Sequence, residues 1–421
     1  MKRFFLFLFI APFFFAAPLI SNAQEAAEGD SLLRVIEKLQ SDVSILSKIK
    51  ISGYIQAQYQ KADTAGQSSV AGGNFASGID QRFAVRRGRL KIAYVAPLST
   101  FVVQLDASEG GVSLKDAYMK FTDPWKNAFS FTGGIFNRPF GYEIEYSSSV
   151  RESPERARVF QILFPGERDL GACITFNPPK TSNYNFIKLD AGVFNGTGPN
   201  AKDFDNRKDL ITRLTLNKSF LNENLKIGVG ASYLLGSMIN YTNPTTKRQY
   251  VWEMDGSAYK KDSSQFSDRK FTGLETQIAY NSPIGLSQLR AEYLFGQQPG
   301  TSSSSTTPTA MNTGDTYLRD FAGYYFVYSQ NIAQLPLQLV ARYDVYDPNT
   351  KVSGKEIGIQ NKTNAGDVKY STVGLGMILR VNANVKITAY YDIVKNETTS
   401  LSAYNKNIKD NVFTLRFQYK F

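Results

Sequence analysis

The sequence predicts an all-β chain, a 16-stranded antiparallel transmembrane β-barrel with a short N-terminal periplasmic helix in front of it. Three observations carry that expectation. Residues Val412 to Phe421 alternate without a slip, with Phe413, Leu415, Phe417, Tyr419 and Phe421 on one face and Val412, Thr414, Arg416, Gln418 and Lys420 on the other. That is the pattern of a strand with hydrocarbon on one side and water on the other. The chain opens with Lys2 and Arg3, an apolar run from Phe4 to Ile20 and the small-residue ending Ser21-Asn22-Ala23, the layout of a cleavable export signal. After it, no apolar run approaches the roughly 20 residues a helix needs to cross a bilayer, so a membrane-spanning mature chain crosses with strands.

The signal is assigned to residues 1–23, and Gln24 to Asp30 reads as a polar linker. Leu32, Leu39 and Leu46 then recur every seven residues, with Ile36 and Val43 between them, which predicts a heptad helix within 24–48. Fewer than three heptads are marginal alone. The seam is read either as a short coiled coil at the periplasmic base of an oligomer or as one amphipathic helix against the barrel rim. Strand alternation begins at Ile49, and the barrel occupies 49–421.

Within it the chain repeats one theme, two patterned segments joined by a tight turn and followed by a longer polar loop. Tight turns fall near Ala96-Pro97-Leu98, Asp123-Pro124-Trp125, Asn177-Pro178-Pro179, Asn217 to Asn224, Asn281-Ser282-Pro283, Gln330 to Gln334 and Asn382 to Asn384. Long loops fall near Lys61 to Ile79, Gly110-Gly111, Asn137 to Asp169, Asn195 to Lys208, Gly236 to Asp268, Gln298 to Asp315, Asp347 to Gly366 and Asn396 to Lys409. Short turns on one side, long loops on the other and an even strand count describe a bacterial outer-membrane barrel with both termini in the periplasm, wide enough for an aqueous lumen.

Aromatics make up 13% of the residues, almost all Phe and Tyr, and mean hydropathy is slightly below zero, as alternation of lipid-facing and lumen-facing residues requires. The chain contains no His, which removes Ser-His and Cys-His catalysis and the commonest metal ligand. Cys173 is single and reads as a small strand residue. No spacing singles out a carboxylate or Lys pair for hydrolysis, so no enzyme, cofactor or metal site is expected.

Because a lipid-facing Arg or Lys costs about 2–4 kcal/mol at the bilayer midplane, charged members of alternating strands point into the lumen. Arg87, Arg89 and Lys91 oppose Leu90, Ile92 and Tyr94, and Arg213, Arg290, Arg342, Lys386 and Arg416 fall inward by the same rule. So do Asp106, Glu275 and Asp392, which makes anion preference a tendency. Arg86 to Arg89 is read as pore-lining or as a solvated rim, and the directions of Lys115 and Arg319 stay open.

The segment at about 137–169 carries Arg138, Arg151, Arg156, Arg158 and Arg168 among Glu143, Glu145, Glu152, Glu155 and Glu167, over a length reserved for functional loops. Folded inward, it narrows the pore and offers guanidinium groups to an anion shedding water; left outside, its charges pair with each other.

Phe83 to Leu90 (FAVRRGRL), Val112 to Phe121 (VSLKDAYMKF), Gly133 to Gly141 (GGIFNRPFG) with Ser147 to Arg156 (SSSVRESPER), and Gly192 to Asn200 (GVFNGTGPN) together resemble the phosphate-selective porin O and P family. That resemblance covers the first half of the chain; the second half matches in strand count and in the terminal Phe421. It implies a trimeric outer-membrane porin of a Gram-negative bacterium whose third loop folds inward and whose basic residues conduct phosphate-like anions.

The function expected is passive diffusion of small hydrophilic solutes with a bias toward anions. The alternative is a structural or adhesive barrel without conductance. Expected partners are outer-membrane lipid, small anionic solutes, two further copies of the chain and the barrel-assembly machinery, which reads the C-terminal strand. Nucleic acid is discounted, since the net charge of +11, two units of it from the leader, is spread over lumen and loop positions.

Overall fold

The computed structural model describes residues 23–246, 249–262, 264–360 and 362–421. The chain divides into two units, residues 1–49 and 50–421. The first unit holds one helix, α1, Ala23–Ser47. Residues 24–30, expected as a linker, are helical, because Glu25-Ala26-Ala27-Glu28 are strong helix formers whose polarity hides them from a search for apolar periodicity. Ile36, Leu39, Val43 and Leu46 are 40–63% exposed along it. The export signal falls, Ala23 apart, outside the described residues.

The second unit is a closed antiparallel barrel of sixteen strands. They are β1 Ile49–Ala62, β2 Gln81–Val95, β3 Ser99–Ser108, β4 Gly111–Thr122, β5 Phe129–Asn137, β6 Arg168–Phe176, β7 Ile187–Phe194 and β8 Asp209–Phe220. The second half is β9 Leu225–Ile239, β10 Phe266–Ser282, β11 Gly285–Gly300, β12 Thr316–Asn331, β13 Leu337–Asp347, β14 Tyr370–Arg380, β15 Val385–Asn396 and β16 Val412–Lys420. Each strand pairs with its sequence neighbours, and β16 closes on β1 from Tyr54 opposite Lys420 to Ala62 opposite Val412. Closure leaves no edge with unpaired backbone groups, which a bilayer would not tolerate.

Alternation sets the two faces. On β16, Val412, Thr414, Arg416 and Gln418 are buried inside while Phe417 and Tyr419 are exposed outside; on β1, Gln56, Gln58 and Gln60 are buried and Ile51 and Ile55 exposed. The outward set is apolar around the barrel, and Tyr94, Phe121, Phe129, Tyr280, Tyr328 and Tyr419 ring its short-turn end, where amphipathic rings sit at a membrane boundary.

The turns have local causes. The Asp123 carboxylate accepts the backbone N–H groups of Trp125, Lys126, Ala128 and Phe129 at 2.7–3.1 Å, closing the β4–β5 turn. At Gly110 the β3–β4 connection is a tight hairpin, Ser108 opposite Gly111. The segment Gly236 to Asp268, expected as a plain loop, contains a second hairpin, Val251–Asp255 with Ala258–Asp262, which extends the wall by parallel pairing of Val251 to Glu253 with Thr316 to Leu318. Asp255-Gly256, with Gly256 at φ +63°, is the turn signal that marks it, set in a stretch too polar to stand out by hydropathy. Near the outer end, Arg319 is fully buried on Asp367 at 2.9 Å, and Asp367 also accepts Tyr259 and Asn349.

Candidate functional site

The segment between β5 and β6 lies inside the barrel, bonded to inward side chains of strands all round the wall. It holds two short helices, α2 Gly141–Glu145 and α3 Arg158–Leu163. Helices of five and six residues do not persist alone, so the wall must hold them. The Glu292 carboxylate on β11 accepts the N–H groups of Tyr142 and Glu143 at 2.9 and 2.7 Å and the Tyr325 hydroxyl at 2.6 Å. It thereby caps the free donors of α2. On β12, Gly323 leaves room for Val159, which would stand 2.7 Å from a Cβ there.

One flank of the loop is apolar. Phe140, Ile144, Val159, Phe160, Leu163 and Phe164 are at most 1% exposed and pack on Ile211, Leu234, Phe271, Leu294, Phe321 and Tyr325 of β8 to β12. Each such side chain contributes about 1.5–3 kcal/mol on leaving water. That half of the lumen is dry at this level. The other flank is ionic. The Glu155 carboxylate takes Arg86 through two 2.8 Å bonds, Arg87 at 3.2 Å and Arg416 at 3.0 Å, and its carbonyl takes Arg342 at 2.8 Å. Burial pushes the Glu155 carboxyl up, and Arg86, Arg87 and Arg416 more than offset it, holding it well below the ordinary range. Lys386 donates to the carbonyls of Ser149 and Arg151 at 3.2 and 3.1 Å, and Arg290 pairs with Glu152.

Water-sized space remains on both sides of this plug. An outer cavity of about 220 Å³ is lined by Arg86, Arg87, Arg89, Asp106, Lys115, Glu155, Arg156 and Glu167. An inner cavity of about 520 Å³ adjoins it one pair of residues along β2 and β3, lined by Lys91, Gln104, Asp116, Lys120, Glu145, Arg168, Cys173, Lys188 and Asp190. A third, about 270 Å³, opens beneath α2 with Lys218, Lys226 and Arg290 on its lining. Cations outnumber acids in each.

The sequence-derived residues divide accordingly. Arg87, Arg89, Lys91, Arg156, Arg168 and Arg290 line cavities. Arg213 lies inward against Glu275 at 2.7 Å and also pairs with Glu145, Arg342 against Asp344 and Asp392 at 3.1 and 2.8 Å, and Arg416 against Gln58 and Glu155. Three of the loop's own guanidiniums are not offered to open space, contrary to expectation. Arg138 covers the Phe164 ring and donates to Pro165, Arg151 donates to the Ser153 and Pro154 carbonyls, and Arg158 stacks 3.9 Å over Tyr370. A buried guanidinium takes the nearest acceptor, and the loop's own backbone is nearer than any solute.

Two further positions departed from simple alternation. Arg86 and Arg87 both reach Glu155, so the inside-outside period slips between them, which places Arg86 in the clamp rather than on a solvated rim. The β3–β4 register shifts after Gln104, and that bulge turns both Lys115 and Asp116 inward. Asp116, which accepts Arg168 at 2.9 Å on the lining of the inner cavity, carries no signal of this in the sequence; an acid beside a lone strand Lys is weak until the bulge is known.

No protein-family model matches the chain, and no curated protein matches it. Among solved structures it is similar to the outer membrane channel DcaP of Acinetobacter baumannii, at 13% identity and a TM-score of 0.55, over 89% of this chain and 97% of that one. It is also similar to OprB of Pseudomonas putida, at 10% identity and a TM-score of 0.56, over 90% and 96%. The fold is that of an outer-membrane porin. With its closed wall, apolar exterior and aromatic ring, this porin-fold barrel sits in a Gram-negative outer membrane; among the described residues no helix is long and apolar enough to cross one.

Proposed function

We propose that the protein is a porin through which small hydrophilic solutes diffuse passively, with a bias toward anions. The observation that carries this is the inner cavity, where Lys91 and Lys120 face the space with no partner among the described residues. Unpaired ammonium groups in a low-dielectric-walled cavity concentrate anions and repel cations. Lumen arginines held by carboxylates add far less field, so the reading is bias rather than tight selectivity. The resemblance to phosphate-selective porins makes phosphate the anion to test first, and the likeness to a solved outer membrane channel supports conduction. The exposed seam of α1 supports a trimer.

The test is reversal potential in planar bilayers under a salt gradient. Wild type is expected to favour chloride over potassium, and Lys91→Glu with Lys120→Glu to cut the anion-to-cation permeability ratio by about threefold or more, the scale on which rings of charge tune a pore. A barrel without discrete conductance would return the structural reading, which the dry flank of the loop favours.

A further inference from the structure

Glu167 closes the loop where it rejoins the wall. Its carboxylate receives Arg156 Nε at 2.9 Å, Lys115 Nζ at 3.3 Å and the guanidinium of Arg168. The cations converge from three places, the body of the loop, the β4 bulge and the start of β6. Each is fixed by something else as well. Arg156 donates to the carbonyls of Glu143, Tyr146 and Ile144, Arg168 Nε donates to Asp116 at 2.9 Å, and Lys115 donates to the Gly166 carbonyl at 3.0 Å. The three positive groups therefore keep their places when the carboxylate leaves. The carboxylate can leave by rotation of its own side chain, while the Glu167 backbone stays held, its N–H on the Phe164 carbonyl at 2.9 Å and its carbonyl on the Arg138 N–H at 3.2 Å. The outer cavity opens on Lys115, Arg156 and Glu167, and the inner cavity on Arg168 and Asp116.

We infer that Arg156, Arg168 and Lys115 form a binding site for a small oxyanion of the phosphate or carboxylate class, and that Glu167 is its tethered occupant, displaced as the solute passes between outer and inner cavities. The trigonal pair of oxygens on Glu167 stands in for the solute's own, with one guanidinium on each and the ammonium sharing one of them. A tethered carboxylate competes at a high effective concentration, so solute affinity is lowered by the fraction of time the seat is open. Weak, displaceable occupancy is also what conduction demands, since a solute bound tightly would block. The inference rests on the porin reading for the word "passes", but not for the site itself.

Two readouts keep the two apart. Isothermal titration of the detergent-solubilised full chain with inorganic phosphate measures the seat without any current. Glu167→Gln is expected to bind phosphate at least tenfold more tightly than wild type, and in bilayers phosphate is expected to reduce its chloride current where wild type is little affected. Heat-modifiable gel mobility checks that the variant barrel is folded. Lys115→Gln in the Glu167→Gln background, and Lys115→Gln alone should the first variant not fold, is expected to weaken phosphate binding several-fold against its parent. Equal phosphate affinity in folded Glu167→Gln and wild type overturns the inference, as does a Lys115→Gln protein that binds as its parent does. Tight binding by Glu167→Gln without conductance in any variant overturns the porin reading and leaves the site.

Discussion

Asp410 shows how single charges report on this fold. It lies just before β16 at 4% exposure, and its Oδ1 has no hydrogen-bond partner among the described residues. Burial pushes its carboxyl up to about 6, against a smaller pull down from Arg158. An unfolded Asp titrates near 3.9, so between about pH 4 and 6 the folded chain holds a proton that the unfolded chain has released. Stability then falls as pH rises through that window. Asp410→Asn is expected to remove the slope and to stabilise the barrel at pH 7.5 by about 1 kcal/mol, after discounting for solvent near the loop. Urea titrations in detergent, scored by gel mobility at pH 4, 6 and 7.5, measure both; a slope unchanged in the variant would assign the effect elsewhere. The inward directions of Arg87, Arg89, Arg342 and Arg416 were legible from period two and the cost of a charge in lipid. Their partners were not. Arg416 and Glu155 stand 261 residues apart, and only the inward course of the β5–β6 loop brings them together.

At the scale of elements, strands and turns were legible because each rests on local causes, alternation for the one and Pro, Asn or Asp chemistry for the other. The loop between β5 and β6 was legible in length and charge, yet its apolar flank was not. Phe140, Phe160 and Phe164 have no periodicity of their own and make sense only against Phe271 and Phe321 of the facing wall. This division predicts how the loop fails. Phe160→Ala removes a fully buried ring and should cost about 3–5 kcal/mol of docking, the range for emptying a core site of that size. The wall's hydrogen bonds do not depend on that ring, so the barrel should still insert and still shift on gels. Single-channel traces should show larger and noisier conductance than wild type as the plug loosens. Conductance identical to wild type would mean the ionic flank alone, centred on Glu155, holds the loop.

For the whole molecule, the expectation of a cylinder wet within and greasy without needs one amendment. The exterior is apolar but for charges near the long-loop end such as Asp268 and Lys270, whereas the interior is divided. Beside β8 to β12 an apolar core fills it at the level of α3, with a cationic cavity below, and beside β2 to β7 it is a charged, hollow passage. The division follows from composition, since the β9 to β12 wall sets Leu234, Phe271, Leu294 and Phe321 among its inward charges where β2 to β4 offer Arg89, Lys91, Asp106 and Asp116. What one chain leaves unfinished is α1. Ile36, Leu39, Val43 and Leu46 expose 40–63% of their area on a seam spaced by sevens and fours. A soluble helix with such a stripe is stabilised by covering it, and copies of the same stripe brought close by barrels in one membrane cover each other at high effective concentration. Deleting residues 32–48 is therefore expected to leave barrel folding intact and to lower the oligomer's dissociation temperature on native gels. The same deletion should not change unitary conductance, because the residues that line the three cavities described above all belong to the barrel unit, 50–421. An oligomer band unchanged in position and heat stability would assign assembly to the barrel walls and leave the helix some other partner.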